Sequence, residues 1–456
     1  MKKSVRLFAA LIALMMLAAC APAAAPESTD DQVAITPVPT EAQGSAWDEE
    51  VNLLVIGGGI AGLTSAIQAA DNGLEDILVV EKLAVTGGSA FVSAGILGGW
   101  ETQVTKALDL HVDPQDMYEE QMFEKEYAID PSLTWLTTLK SGETIDWLID
   151  ELGVAFEPDV IIKPGYGTLQ AVHIVDGGGP NLRTPYEAAL AARPQIEVRT
   201  ETKGTELIVE DGKVVGAVVE SGGATKRIGA KAVVLATGGY STSSEVITAV
   251  HPANSVFQTS LMPGSTGDGL LMATAIGAGT NNLDQIQAYL REYNNPVGQT
   301  PYMYTIFVGK EGKRFMNETR IPQTFNQANR DDLIMQYGKD GWDYFWAIND
   351  QATMDSFGLQ TTDYPGLVSA NTLDELAKLT GMDAEGLKAQ VAAWNEMVAN
   401  ETDSQFGRYG MWYKIETAPF YALQTTFSTS VCHGGITKND RAEVTTFDGS
   451  AIPGLY

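Results

Sequence analysis

The chain has 456 residues, of which 44% are hydrophobic, and its 58 acidic and 29 basic residues give a formal net charge of −29. This length and apolar content are typical of a globular protein with one or two sizeable cores, and they exclude a disordered or fibrous chain. The acidic balance would repel a phosphate backbone, and no basic patch interrupts it, which excludes nucleic acid as a partner.

The first twenty residues have the features of an export signal. A positive start precedes an apolar stretch too short to span a bilayer, and Leu-Ala-Ala-Cys follows at 17–20. This segment resembles the lipobox of bacterial lipoproteins, which implies lipidation of Cys20 and a membrane-anchored, extracytoplasmic protein. The alternative is an ordinary signal peptide that contains a cysteine. We therefore predict a lipoprotein signal peptide at 1–20 and a flexible, Ala/Pro/Thr-rich linker at 21–46.

The cysteine count limits the redox chemistry. Apart from Cys20 the chain has only Cys432, so a lipidated chain cannot form an internal disulfide. It also lacks a haem attachment motif and any cysteine cluster that would hold an iron–sulfur centre or another metal. An electron carrier bound by this chain is therefore expected to be organic.

The residues that follow the linker predict a strand, a glycine-rich turn, a helix and a second strand. Gly57, Gly59 and Gly62 match G-x-G-x-x-G directly after an apolar strand, and Glu81 ends the second strand 19 residues beyond Gly62. In such a βαβ unit the first two glycines give a tight turn and close approach to a pyrophosphate. Gly62 lets helix and strand pack closely, and Glu81 accepts hydrogen bonds from ribose hydroxyls. The unit predicts a dinucleotide site.

Later segments resemble the fumarate reductase and succinate dehydrogenase flavoprotein superfamily. Residues 81–96 are similar to its second flavin-contacting stretch, 232–240 to its Ala-Thr-Gly turn, and 264–278 to its Gly-Asp-Gly helix start. The resemblance covers nearly all of 50–456 and implies that the cofactor is FAD. The further cofactor-binding residues implied by the resemblance are Ala61, Lys82, Gly88, Ser89, Ala90, Gly95, Thr237, Gly238 and Asp268.

Two other glycine-rich regions are interpreted differently. The stretch 176–181, Asp-Gly-Gly-Gly-Pro-Asn, lacks the preceding strand and the third glycine of the motif, so a separate nicotinamide domain is not expected. Residues 204–239 contain short alternating strands separated by Asp-Gly and Gly-Gly, which predicts a small β-meander on the flavin domain.

The expected architecture is α/β. Residues 47–285 and a return segment at 418–456 should form a Rossmann-like FAD-binding domain, with a parallel sheet and helices on both faces. Residues 286–417 should form an inserted α+β capping domain, since 309–318 and 371–396 resemble segments of that domain in the superfamily. The substrate is then expected between the two domains.

The chemistry of the superfamily requires a hydride from flavin N5, a proton for the neighbouring carbon, and positive groups that stabilise developing charge. In the fumarate reductases an arginine supplies the proton. Here Arg330 precedes Asp331 and lies 16 residues beyond Arg314, which favours Arg330 over Arg320 as the donor. An exposed salt-bridging arginine is the alternative interpretation for each.

Two positions that bind substrate in the superfamily differ here. The stretch Ile-Gln-Ala-Tyr-Leu-Arg-Glu places Tyr289 where the superfamily commonly has histidine, with Arg291 two residues later. His433 adjoins Gly434 directly, so an active-site role and a structural turn role both stay open. Tyr289 would hydrogen-bond a carbonyl or ring substituent, which indicates a bulkier or less charged substrate than a dicarboxylate.

The superfamily sequence continues beyond Ile-Pro-Gly-Leu-Tyr through a helix that faces the flavin, so we expect the return segment 418–456 to be truncated and the chain to be part of a longer protein. The favoured function is reduction of the C=C bond of an unsaturated acid or enone in anaerobic respiration. The electron donor would be an external quinol, flavin or cytochrome carrier. The alternatives are a flavin dehydrogenase that desaturates a ring ketone, as in the ketosteroid branch, and a non-enzymatic electron-relay or solute-binding lipoprotein.

Overall fold

The computed structural model describes residues 46–124, 127–162, 171–250, 263–293, 304–318, 343–408 and 413–456. The described strands are β1 (Glu49–Ile56), β2 (Ile77–Val80), β3 (Ile96–Gly98), β4 (Ile161–Ile162), β5 (Ala171–Ile174), β6 (Ile196–Arg199), β7 (Lys203–Glu210), β8 (Lys213–Ser221), β9 (Ala224–Leu235), β10 (Thr280–Asn281), β11 (Ile286–Glu292), β12 (Ile306–Val308), β13 (Phe345–Asp350), β14 (Leu367–Ala370), β15 (Phe420–Cys432) and β16 (Gly435–Ile436). The described α-helices are α1 (Ile60–Asp71), α2 (Gln103–Ala107), α3 (Pro114–Glu124), α4 (Pro131–Asp150), α5 (Arg183–Ala191), α6 (Ser244–Val250), α7 (Asp268–Ala275), α8 (Gln351–Ser356), α9 (Leu373–Thr380) and α10 (Ala384–Ala399).

The main sheet has the strand order β6-β2-β1-β9-β8-β7. Neighbouring strands from β6 to β9 run parallel, and β8 and β7 continue the sheet antiparallel. Strand β9 joins the two parts, since its later residues pair with β1 and its earlier residues pair with β8. This arrangement confirms the predicted Rossmann-like α/β fold and the predicted meander, which consists of β7, β8 and β9.

The parallel strands are apolar on both faces because helices cover both sides of the sheet. Alternate residues of β1 enter different cores, with Val55 on one side and Leu54 on the other. The first core contains Leu63 of α1 and Tyr186 of α5, and the second contains Met272 of α7. The carboxyl ends of β1 and β2 meet at one edge, which is where ligands bind in open α/β sheets.

A second sheet has the order β11-β15-β13-β12, with β14 also paired to β15. Its strands β11 to β14 lie in the segment predicted to form the cap, and helices α9 and α10 pack on it. Strand β15, which belongs to the predicted return segment, completes this sheet because its 13 residues pair with β11, β13 and β14. The domain boundaries at 285 and 417 stay predictions.

Two smaller sheets lie outside these layers. One has the order β3-β5-β4, and the other pairs β10 with β16. Within the described part of the chain, none of the helices has the length and apolar content that a membrane crossing requires.

Candidate functional site

The turn after β1 is built from closely packed glycine backbone. Gly57 has a φ of 112°, and a Cβ on it would lie 2.3 Å from the carbonyl oxygen of Ala236. A Cβ on Gly62 would lie 2.0 Å from the carbonyl oxygen of Gly57. Only glycine therefore fits at both positions. The absence of these two side chains lets the start of α1 pack directly against the ends of β1 and β9.

Gly59 differs from Gly57 and Gly62 because the side where its Cβ would be is open. It is the N-cap of α1, and a Cβ built on it would meet no atom within 4 Å. The first turn of α1 contains no acidic residue, and among the described residues its N-cap makes no side-chain hydrogen bond. A helix N-terminus with an open approach favours an anion, so the turn fits the pyrophosphate of FAD.

Glu81 lies beside this turn with 8% of its surface exposed. Its Oε2 accepts a hydrogen bond from Gly58 N at 2.8 Å, and its Oε1 accepts one from Leu83 N at 2.8 Å. An ionised carboxylate has about four lone-pair positions, so these two bonds leave capacity for ribose hydroxyls. The predicted ribose contact of Glu81 is compatible with this geometry and stays a prediction.

The second predicted cofactor loop lies directly on the glycine turn. Gly87 N donates to the Gly58 carbonyl oxygen at 2.8 Å, and a Cβ on Gly88 would lie 3.2 Å from the Cα of Gly59. A short 3₁₀ helix, Ala90–Val92, follows with Ser89 as its N-cap. The structure therefore brings one group of predicted residues to the same edge of the sheet: Gly57, Gly59, Ala61, Gly62, Glu81, Gly88, Ser89 and Ala90.

The predicted Ala-Thr-Gly turn continues β9 toward this edge. Ala236 N donates to the Ile56 carbonyl oxygen at 2.8 Å, and the Thr237 hydroxyl accepts a hydrogen bond from Gly269 N at 3.2 Å. Gly238 has a φ of 74°, in the left-handed region that favours glycine. The turn is thus joined to the start of α7.

Asp268, the first residue of α7, lies in an ion cluster. Lys82 Nζ donates to Asp268 Oδ2 and to the Thr266 hydroxyl, and Lys203 Nζ lies 2.9 Å from Asp268 Oδ1. Burial alone would raise the pKa of Asp268, but hydrogen bonds from the two lysines and the threonine outweigh it and lower that pKa. The predicted residues Lys82 and Asp268 therefore contact each other. Lys203 was missed, and its position in the sequence carries no signal for this contact.

The predicted catalytic and lipidation residues are less fully described. Arg320, Arg330 and Cys20 lie outside the described residues. Tyr289 lies in β11, where its backbone position pairs with Ser428 of β15. These roles stay predictions.

His433 follows the end of β15 and is exposed. Its backbone N–H donates to the Gln285 carbonyl oxygen at 2.9 Å. The preceding residue, Cys432, lies beside Gly239, since a Cβ on that glycine would be 3.4 Å from the Cβ of Cys432. The end of β15 therefore reaches the segment that follows Thr237 and Gly238, which places His433 near the cofactor turn. Burial raises the pKa of the Cys432 thiol to about 11, so this thiol is not a reactive thiolate.

Two arginines of the second sheet region are buried to different degrees. Arg291 is half-buried in β11 opposite Thr426, and burial lowers the pKa of its guanidinium. Arg314, the reference residue for the arginine spacing, is fully buried and donates to Glu318 and Asp403 at 2.6 and 2.9 Å. We therefore assign Arg314 a structural role within the predicted cap.

Across the described ranges, no group of three or more His, Cys, Asp or Glu side chains is arranged to hold a metal ion. The glycine turn and its surroundings fit a dinucleotide, because the open helix N-terminus at Gly59 favours a pyrophosphate and the buried carboxylate of Glu81 can accept hydrogen bonds from ribose hydroxyls.

Comparisons with known proteins match most of the chain. A family model described as an FAD binding domain matches residues 52–456. The fumarate reductase (cytochrome) of Shewanella frigidimarina is 30% identical over 429 residues, which cover 91% of this chain and 72% of that protein. The urocanate reductase of Eggerthella lenta is 27% identical over 436 residues, which cover 92% of this chain and 70% of that protein.

A solved structure gives the same result for the fold. The open conformation of a flavocytochrome c3 fumarate reductase superposes with a TM-score of 0.78 at 27% sequence identity. The match covers 90% of this chain and 72% of that chain.

Proposed function

The chain belongs to the FAD binding domain family, and from this premise we propose that it reduces the C=C bond of an unsaturated acid or enone outside the cytoplasm. The cofactor is FAD, and the chain is an FAD-dependent oxidoreductase of the class that reduces C=C bonds. The observation that carries cofactor binding is the open N-terminus of α1 at Gly59, beside the buried carboxylate of Glu81, and the similarity to reductases of C=C bonds supports the reaction. The substrate, the location and the residue roles are the proposed part.

Bound FAD would supply a hydride at N5 for one carbon of the double bond. The N–H groups at the start of α1 would bind its pyrophosphate, and Glu81 would accept hydrogen bonds from its ribose. The loop at 88–95 and the turn at 237–238 would contact the rest of the cofactor. The ion cluster of Asp268 would hold the start of α7 against that turn.

The second carbon needs a proton, and we assign this role to Arg330, with Arg320 as the competing donor. A guanidinium also stabilises the negative charge that develops on the carbonyl or carboxylate next to the double bond. Tyr289 and His433 are proposed to contact the substrate. Support for His433 comes from its position after β15, next to the cofactor turn.

The substrate is a small molecule with an activated double bond, and we propose that it is bulkier or less charged than fumarate. Tyr289 supports this, because a phenol hydroxyl is a neutral hydrogen-bonding group that suits a carbonyl or a ring substituent. The similarity to a urocanate reductase also supports it, since that relative is named for a substrate other than fumarate.

Electrons must reach the flavin from a separate electron carrier. We propose a quinol, a flavin or a cytochrome as the donor, because the two cysteines of the given sequence do not form a motif for haem attachment or an iron–sulfur centre. We also propose that lipidated Cys20 anchors the protein to the membrane outside the cytoplasm. Replacing Cys20 by serine should move the protein from the membrane fraction to the supernatant, since only a thiol can form the thioether to the lipid. Retention of the Cys20→Ser protein in the membrane fraction would overturn this anchor.

The test of the reaction uses photoreduced protein without oxygen, mixed with a panel of unsaturated acids and enones. Return of the oxidised flavin absorbance on addition of such a compound is the expected result. A second experiment mixes oxidised protein with saturated ring ketones. Bleaching of the oxidised flavin by such a ketone, with no response of the reduced flavin to unsaturated acids, would show the dehydrogenase instead. No response in either experiment would indicate an electron-relay or solute-binding protein.

A further inference from the structure

The segment 176–181, Asp-Gly-Gly-Gly-Pro-Asn, packs under the predicted flavin-contacting loop 90–95. Gly179 N donates to the Ser93 carbonyl oxygen at 3.1 Å. Just before this segment, Val175 N donates to the carbonyl oxygen of residue 95 at 2.9 Å. The two stretches are therefore joined by backbone hydrogen bonds on both sides of residue 94.

No side chain separates the two backbones. A Cβ on Gly179 would lie 2.2 Å from the Ala90 carbonyl oxygen and 2.7 Å from the Ser93 carbonyl oxygen. From the other side, a Cβ on Gly95 would lie 2.6 Å from Gly179 N. These distances are far below van der Waals contact, so the position of the loop depends on the absence of a side chain at Gly179.

The segment is also fixed to the helix of the phosphate site. It leads into α5, where the hydroxyl of buried Tyr186 lies 2.8 Å from the Thr64 hydroxyl of α1. The ring of Tyr186 also packs 5.7 Å from the ring of Phe91 in the loop. Since α1 begins at the glycine turn, the turn, the loop and the segment form one connected unit.

We propose that Gly179 is a positioning residue for FAD, which sets how far the loop 90–95 lies from the phosphate-binding turn. The inference rests on the proposed function, in which Ala90 and Gly95 contact the cofactor. Displacing the loop would change the hydrogen bonds and apolar contacts around the flavin ring, and these contacts tune its reduction potential.

The test compares Gly179→Ala with Gly386→Ala in the full chain. Both substitutions place a Cβ against a backbone oxygen, at 2.2 Å from Ala90 and 2.0 Å from Glu311, but Gly386 lies in α10 on the second sheet. We expect Gly179→Ala to weaken FAD binding at least about 10-fold and to shift the flavin midpoint potential. Gly386→Ala should lower stability and leave both quantities unchanged.

A second pair of variants avoids steric clash. The side chain of exposed Asn181 donates to the Asp176 carbonyl oxygen at 2.6 Å, and the side chain of half-buried Asn52 donates to the Glu75 carbonyl oxygen at 2.9 Å. Asn181→Ala should loosen the segment, weaken FAD about 2- to 10-fold and shift the potential in the same direction as Gly179→Ala. Asn52→Ala should leave both at the wild-type values.

The outcomes separate this inference from the proposed function. Wild-type protein that binds no FAD would overturn both. Wild-type protein that binds FAD, with unchanged affinity and potential in folded Gly179→Ala and Asn181→Ala, would overturn the positioning role alone. If Gly179→Ala does not fold, the comparison of Asn181→Ala with Asn52→Ala decides the matter by the same criterion.

Discussion

Glu81 Oε2 accepts a hydrogen bond from Gly58 N at 2.8 Å, which ties the carboxylate at the end of β2 to the glycine turn at the end of β1. The same carboxylate is the predicted partner of the FAD ribose, so one side chain shapes the turn and, by this prediction, would also bind the cofactor. Removal of the Glu81 carboxylate abolishes both roles at once, and the loss of either role should lower the affinity for FAD.

We expect Glu81→Ala to weaken FAD binding by about 1–3 kcal/mol, because ribose hydroxyls lose an acceptor and Gly58 N loses its partner. Quenching of FAD fluorescence in a titration of the apoprotein measures this. Glu75→Ala, at an exposed glutamate that precedes β2, is the control and should bind FAD normally. Equal affinities for the two variants would count against the ribose assignment.

Gly59 and Gly62 should respond differently to alanine. Gly59 has a φ of −73° and open space around it, so Gly59→Ala should fold with wild-type stability but weaken FAD by obstructing the approach to α1. Gly62→Ala places a Cβ 2.0 Å from the Gly57 oxygen and should lower stability by about 1–3 kcal/mol. Urea unfolding and FAD titration of both variants check this, and a loss of stability in Gly59→Ala would contradict it.

The buried ion pair of Arg314 and Asp403 should make the stability of the region around the second sheet decrease in acid. Burial opposes the charge on Asp403, but the hydrogen bond from Arg314 lowers its pKa from 3.8 to about 2. A carboxylate with a lowered pKa stabilises the fold above about pH 4, and this stability is lost as the pH falls through about 2. Asp403→Asn should therefore lower the free energy of unfolding at pH 7 by about 3 kcal/mol and reduce its decline in acid.

Urea unfolding across this pH range measures both effects. Glu143→Gln is the matched control, because Glu143 forms an ion pair with Lys140 at the surface, with 69% of its side chain exposed. It should change stability by less than about 1 kcal/mol. If Asp403→Asn behaves like this control, the buried pair does not stabilise the protein.

Proton donation by Arg330 is tested by kinetics. Arg330→Gln should slow turnover at least about 10²-fold while FAD affinity and substrate binding are retained, since only the general acid is removed. Reduction of the flavin by an artificial donor should proceed at the wild-type rate. Arg320→Gln is the companion variant, and a reversed result would assign the proton to Arg320. Normal turnover in both variants would exclude the proposed mechanism.

The cofactor site was predictable from the sequence where its parts are local. The glycine turn, the helix and Glu81 lie within about 30 residues, and each has a residue type that the geometry requires. The contact between Lys203 and Asp268 joins the start of β7 to the start of α7, and no local pattern encodes such a pairing. The strand pairing of β15 with the second sheet was missed for the same reason, because backbone hydrogen bonds between distant segments leave little trace in side-chain identity.

Arg314 shows a related limit. The sequence motif around it is recognisable, but its role depends on Asp403, 89 residues away, and on Glu318, which lies four residues beyond it in a segment that is not α-helical. Only the fold reveals that this arginine is enclosed by acidic partners.

Strand β15 also has a mechanical consequence. Its first residue, Phe420, pairs with Asp350 in the second sheet, and its last residue, Cys432, lies beside Gly239 near the cofactor turn. Sliding of β11 along β15 would break the hydrogen bonds that join them, whereas twisting the pair would preserve these bonds. The register of this pair shifts between Gln287 and Ala288, and such an irregularity locally disrupts the hydrogen bonds and increases the twist of the strands. We therefore expect fast amide exchange at residue 288 to report any twisting of β11 against β15, the strand whose end connects the second sheet to the segment beside Gly239.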